Sequence, residues 1–132
     1  MKQIKSILIA GVVLGGTGVI AGAFGTHSLG DRIAAEHLNV FETAVRYQMY
    51  HALALCITGL LAAKNFAKQF RYAALCFFTG VIIFSGSLYA LSTSELWAGN
   101  YMRWLGAITP IGGALLITGW LFLGVAIMKS NK

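Results

Sequence analysis

The feature that most constrains this chain is the clustering of its apolar residues into four blocks, at residues 4–24, 41–63, 70–91 and 104–128. At 1.5 Å of rise per helical residue, each block is about long enough to cross a hydrocarbon core of ~30 Å. Lipid offers backbone amides no partners, so segments that cross it satisfy their hydrogen bonds internally and fold as helices. The predicted fold class is all-α: one integral membrane domain, residues 1–132, built as a transmembrane four-helix bundle. Composition agrees, since 58% hydrophobic against 11% charged residues is far from the balance of a soluble domain.

The charged residues give the orientation. Lys2, Lys5, Lys64, Lys68, Arg71, Lys129 and Lys132 fall at the N-terminus, the second connection and the C-terminus, which four spans place on one side. By the positive-inside rule that side is the cytoplasm, so both termini are expected there. Asp31, Glu36, Glu42 and Glu95 fall on the other side with Arg32 and Arg103. The net charge of +6 does not imply nucleic acid, because the basic residues are dispersed at span ends rather than gathered in a stripe with interleaved aromatics. "MKQIK" before an apolar run ending in "AGA" has the outline of a signal peptide. The order within that run predicts instead that the first span is retained for packing.

That order is a glycine stripe: Gly11, Gly15, Gly18, Gly22 and Gly25, spaced alternately four and three apart. Lipid tails provide no hydrophobic drive for helix association, so close backbone approach over small residues takes its place. Span one is expected to lie against a partner helix, in this chain or in another copy. The first connection, "GTHSLGDRIAAEHLNV", reads as a breaker at Gly30 followed by a short amphipathic helix at the outer interface. Asn39 with Glu42 three residues later resembles a capping box, which would start helix two near Val40. In helix four, Pro110 cannot donate to the carbonyl of Gly106 and is expected to kink or open the helix. Trp97, Tyr101 and Trp104 flank its outer end as interfacial anchors, with Trp120 deeper.

The polar residues inside the spans gather in the outer half. They are Arg46, Gln48 and His51 in helix two, Ser85, Ser87 and Tyr89 in helix three, and Thr109 beside Pro110. Together they outline an outward-facing polar chamber. At 100° per residue, Ala44, Gln48, His51 and Leu55 share one face, so Gln48 and His51 point into protein. Arg46 follows Glu42 by one turn and is placed to pair with it or to snorkel. His51 lies too deep to snorkel and needs both a donor and an acceptor. With the hairpin of helices two and three turning near Phe66, "RYQMYH" is expected to close a hydrogen-bond network with "SGSLY", with His51 level with Ile82.

Sharper chemistry lacks its residues. His27 and His51 are the weak candidates for a metal or haem pair, but no further ligand completes a set, so neither a metal nor a cofactor is expected. "SGS" at Ser85 to Ser87 lacks a nucleophile elbow, and no acid within a span orients His51. Cys56 and Cys76 come to similar depth when helices two and three fold together, where contact is feasible and a disulfide disfavoured.

The runs "GAFGTHSL", "TAVRYQMYHALAL", "FSGSLYAL" and "LGAITPIGG", in this order over most of the chain, closely resemble the bacterial family known as domain of unknown function 423. Family members often carry small residues around the first motif's histidine, where this chain has Thr26 and Ser28. The resemblance implies a small multi-pass protein of the bacterial cytoplasmic membrane and implies no activity, substrate or cofactor. Two functional readings follow. One is a non-enzymatic bundle acting in membrane maintenance or as a subunit, its partners being the bilayer and either further copies or another membrane protein. The alternative is a small transporter or channel whose polar chamber lies between helices two, three and four.

Overall fold

The computed structural model describes residues 1–130 and is all-α, so Lys132 of the basic end lies outside the described residues. Four long helices, α1 (Lys2–Phe24), α2 (Ala35–Lys64), α3 (Lys68–Ala98) and α4 (Thr109–Ser130), account for nearly all of it. A π-helical turn, Gly25–Leu29, extends α1, and a 3-10 turn, Arg103–Ala107, leads into α4. Among the described residues, three helical stretches are long and apolar enough to cross a membrane: Lys2–Leu29, Lys68–Ala98 and Arg103–Ser130. The remaining helix, α2, carries the polar load of "ETAVRYQMYH" and misses that threshold despite its 30 residues.

Consecutive helices pack as antiparallel neighbours. α1 lies along α2, α2 along α3 and α3 along α4, while α1 and α3 meet only in passing. Gly25 faces Phe41, Gly22 faces Val45, Gly18 faces Gln48 and Gly11 faces Cys56, so the stripe follows α2 over almost the whole of α1. Gly15 faces Ala52 in the same row. The approach is closest at Gly11, where an added Cβ would stand 2.6 Å from Cys56 Sγ and 2.9 Å from the Ala52 carbonyl oxygen. The α3–α4 pair uses Gly112 in the same way, against the backbone of Phe84. The core between the helices holds Leu14, Leu55, Phe70, Phe77, Val81 and Leu116.

Four expectations change. The short interfacial helix is not a separate element: Gly30 opens a turn, and the residues from Ala35 onward are the first turns of α2 itself. Asn39 therefore caps nothing. It sits inside the helix, where its carbonyl accepts the Thr43 hydroxyl at 2.9 Å. The early start has tertiary support, since His37 and Phe41 are both buried, against Tyr101 and Tyr89.

Pro110 does not kink a running helix either. The chain winds as a 3-10 turn to Ala107 and α4 begins at Thr109, so the proline occupies the first turn, where its missing N–H costs nothing. The α2–α3 register also differs from a hairpin centred on Phe66. His51 lies against Phe77, with ring centroids 5.5 Å apart, while Ile82 is exposed. Cys56 faces α1 at Gly11 and Cys76 faces α4 at Gly119, so the two thiols turn to opposite neighbours and both are free.

Candidate functional site

The polar side chains of the central helices fall into linked groups, each tying one helix to the next. Gln48 is the most connected. Its Nε2 donates to the Leu14 carbonyl and to Thr17 Oγ1 of α1, both at 2.9 Å, and its Oε1 accepts the Tyr89 hydroxyl of α3 at 2.8 Å. One side chain thereby joins three helices. Both amide hydrogens are used, and the oxygen has a partner. Nearby, Ser85 Oγ of α3 donates to the Ala44 carbonyl at 2.7 Å, which pins α2 to α3 one turn away.

His51 reaches α4. Its Nδ1 lies 2.7 Å from the Tyr47 carbonyl, and Trp120 Nε1 stands 3.1 Å from its Nε2. The partners fix the tautomer. A carbonyl only accepts and an indole N–H only donates, so Nδ1 carries the proton and Nε2 accepts. The ring is neutral, with neither nitrogen free for a metal. Phe77 and Trp120 enclose it at centroid distances of 5.5 and 6.0 Å. His27 is exposed at the π-helical end of α1, and no group of three or more histidine, cysteine or acidic residues among the described residues is arranged to hold a metal ion.

The α3–α4 pair has its own link. Ser87 Oγ and Thr109 Oγ1 are 2.7 Å apart, and Ser87 also reaches the Phe84 carbonyl at 2.9 Å. This contact meets α4 at its first turn, beside Pro110. Arg46 stands apart: it is exposed and donates to Thr43 Oγ1 at 3.2 Å, with no ion pair to Glu42 among the described residues. Together with Glu42, Phe41 and Val45 it borders a shallow recess of about 220 Å³ against Gly22 and Gly25.

The structure thus joins Gln48 to Tyr89, Ser87 to Thr109, and Ser85 and His51 to partners outside the predicted set. Three residues of these contacts are not announced by the sequence. Thr17 looks like one more small residue of the glycine-rich helix until Gln48 is placed against it. Trp120 did carry a signal, because an indole far from the interface needs an acceptor for its N–H. His37 is the third: it is 7% exposed, stacked on Tyr101 with centroids 4.0 Å apart and planes 3° apart. Glu36 Oε1 is 3.4 Å from its Nε2 and Glu95 Oε2 is 3.6 Å from its Nδ1, which has no hydrogen-bond partner among the described residues. Histidine, carboxylates and tyrosine come from three separate segments, which no local pattern announces.

Comparison with known proteins gives a consistent assignment. Residues 21–113 match the family described as protein of unknown function DUF423. The chain is 40% identical over 125 residues to a UPF0382 membrane protein of Staphylococcus epidermidis, covering 95% of this chain and 97% of that one. It is 39% identical over 126 residues to the UPF0382 membrane protein YwdK of Bacillus subtilis, covering 95% and 98%. No solved structure matches.

Proposed function

The chain belongs to the DUF423 family of bacterial membrane proteins, and we propose that it acts as a non-enzymatic four-span subunit of the cytoplasmic membrane, working through its contacts with lipid and with other membrane proteins or further copies of itself. The observation that carries this reading is the state of the polar interior. Gln48, His51, Ser85 and the Ser87–Thr109 pair spend their donors on backbone carbonyls, on Thr17 and within the pair, while Gln48 and His51 accept from Tyr89 and Trp120. A binding or catalytic chamber keeps convergent polar groups available to its ligand. Here they hold helices together.

The fourth span is α2. It follows α1 antiparallel from the level of Gly25 to that of Gly11, so a bilayer that holds α1 also holds α2. Lys2, Lys5, Lys64, Lys68 and Arg71 at one end, against Asp31, Glu36 and Glu95 at the other, support cytoplasmic termini. Single cysteines at Asn65 and Asn100, in a background lacking Cys56 and Cys76, are expected to label from the cytoplasmic and outer sides respectively. Labelling of both from one side overturns the topology. For the functional reading, mild-detergent extraction after cross-linking is expected to yield a defined oligomer or a stoichiometric membrane partner. Solute flux in liposomes that His51→Ala abolishes would instead establish the transporter reading.

A further inference from the structure

We propose that the groove between α1 and α3 at the basic end of the bundle is a binding site for one anionic glycerophospholipid. The groove exists because α1 turns its glycine face to α2 and leaves its flank to α3 unfilled. Leu55 of α2, 1% exposed, lies at its floor; Ser6 of α1 and Leu75 and Phe78 of α3 stand along its walls. It encloses about 280 Å³ and is almost wholly apolar away from its mouth, where Lys2 and Arg71 stand. From Arg71 to Phe78 it runs about 10 Å along α3, the depth of the upper part of an acyl chain.

Charge selects the headgroup. All four acidic side chains of the sequence, Asp31, Glu36, Glu42 and Glu95, belong to the opposite end, so no carboxylate side chain competes for the two cations. α1 and α3 both begin at this end without a side-chain cap, which adds the positive ends of two helix dipoles. Basic recesses between spans near the membrane surface are suited to anionic headgroups. A free hydrated phosphate gains nothing from the apolar floor. A second copy docking here about a twofold axis would bring the same two cations face to face. A phosphodiester headgroup with an acyl tail satisfies both parts of the groove.

The test is native mass spectrometry of the full chain released from bilayers of equal phosphatidylglycerol and phosphatidylcholine with matched chains. The wild type is expected to retain one phosphatidylglycerol in preference, unchanged by added inorganic phosphate. Lys2→Gln with Arg71→Gln, both at exposed positions, is expected to reduce that preference about thirtyfold. Arg32→Gln with Arg103→Gln at the other end is expected to leave it intact. Ser6→Phe, which fills the groove from an exposed position, is expected to lose the retained lipid while helicity stays unchanged. Equal retention of the two lipids by the wild type, an unaltered preference in the double variant, displacement by phosphate, or a lipid-free dimer overturns the proposal.

Discussion

Gly112→Ala tests the packing logic most directly, because the added methyl meets backbone rather than a side chain that can rotate away. At Gly112 the new carbon would stand against the Phe84 backbone nitrogen, 2.7 Å from its Cα and 2.8 Å from its Cβ. To bring its backbone nitrogen to the near edge of ordinary contact, Phe84 must retreat by about 1 Å, and it can do so only by moving its helix. A gap of that size forfeits roughly a quarter to a half of the dispersion well for the contacts it opens, and overpacking of this kind costs about 1–3 kcal/mol. Alanine returns about 1 kcal/mol as the better helix former, so the expected net loss is about 0–2 kcal/mol, and the expected deficit against an uncrowded glycine-to-alanine change is the full 1–3 kcal/mol or so. Gly124, on the same helix, supplies the control: no atom of the described residues lies within 4 Å of its added Cβ, so alanine there is expected to be neutral or to stabilise by up to about 1 kcal/mol. Unfolding in mixed micelles titrated with a denaturing detergent, followed by tryptophan fluorescence, measures the difference. If Gly112→Ala is as stable as Gly124→Ala, close α3–α4 backbone contact is not what the glycine provides.

Gln48→Leu removes three interhelical hydrogen bonds, about 2 kcal/mol at the membrane average of ~0.6 each, and leaves the Tyr89 hydroxyl without its acceptor. Tyr89→Phe is therefore expected to cost about 1 kcal/mol less in the Gln48→Leu background than in the wild type; additive losses in the double-mutant cycle would disprove the shared bond. Trp120→Phe deprives His51 Nε2 of its donor and is expected to cost about 1 kcal/mol, whereas unchanged stability would mean that the bond contributes nothing. His51→Leu is expected to assemble and His51→Lys to fail, as read from the folded fraction extracted from membranes; folded His51→Lys at wild-type yield contradicts this. His37→Phe keeps the stack on Tyr101 and removes a buried nitrogen that has no hydrogen-bond partner among the described residues, so it is expected to be neutral or slightly stabilising; a loss above about 2 kcal/mol would show instead that the ring's contacts with Glu36 and Glu95 hold the outer end together.

What was legible in the sequence follows from what each residue's surroundings leave to local pattern. Helix existence was visible because lipid forces whole blocks of residues to be apolar, and Gln48 and His51 point inward because they share the face of Ala44 and Leu55. The same rule of 100° per residue places Arg46 on the other side from Gln48; grouping by depth alone put it with the chamber residues. The start of α2 was misplaced because a local capping pattern at Asn39 competed with burial of His37 and Phe41, and burial prevailed. Pro110 is ambiguous in sequence because a proline that starts a helix and one that breaks it look alike, and the 3-10 turn before Thr109 decides between them. The Trp120–His51 contact spans 69 positions and depends on how far α4 leans over α3 toward α2, a tertiary property with no period to read.

The polarity of α2 is best understood by asking which of its atoms lipid would meet. Its 30 residues make a rod of about 45 Å, against a hydrocarbon core of ~30 Å, so its first ten residues or so have no need to enter the core. Those residues include Glu36 and Glu42, with Arg46 just beyond, all exposed at the end away from the lysines. Further along, Tyr47, Tyr50, Leu53, Ile57 and Leu60 are exposed, while Gln48, His51 and Thr58 are buried. A mean taken along the sequence counts those three as though they faced hydrocarbon. An average around the outer surface would not, because the donors of all three are already held by Leu14, Thr17, Tyr47 and Ala54. The low apolarity of α2 thus marks its position: it is the helix that α1 and α3 both cover, and its polar groups bond to both of those neighbours rather than facing lipid.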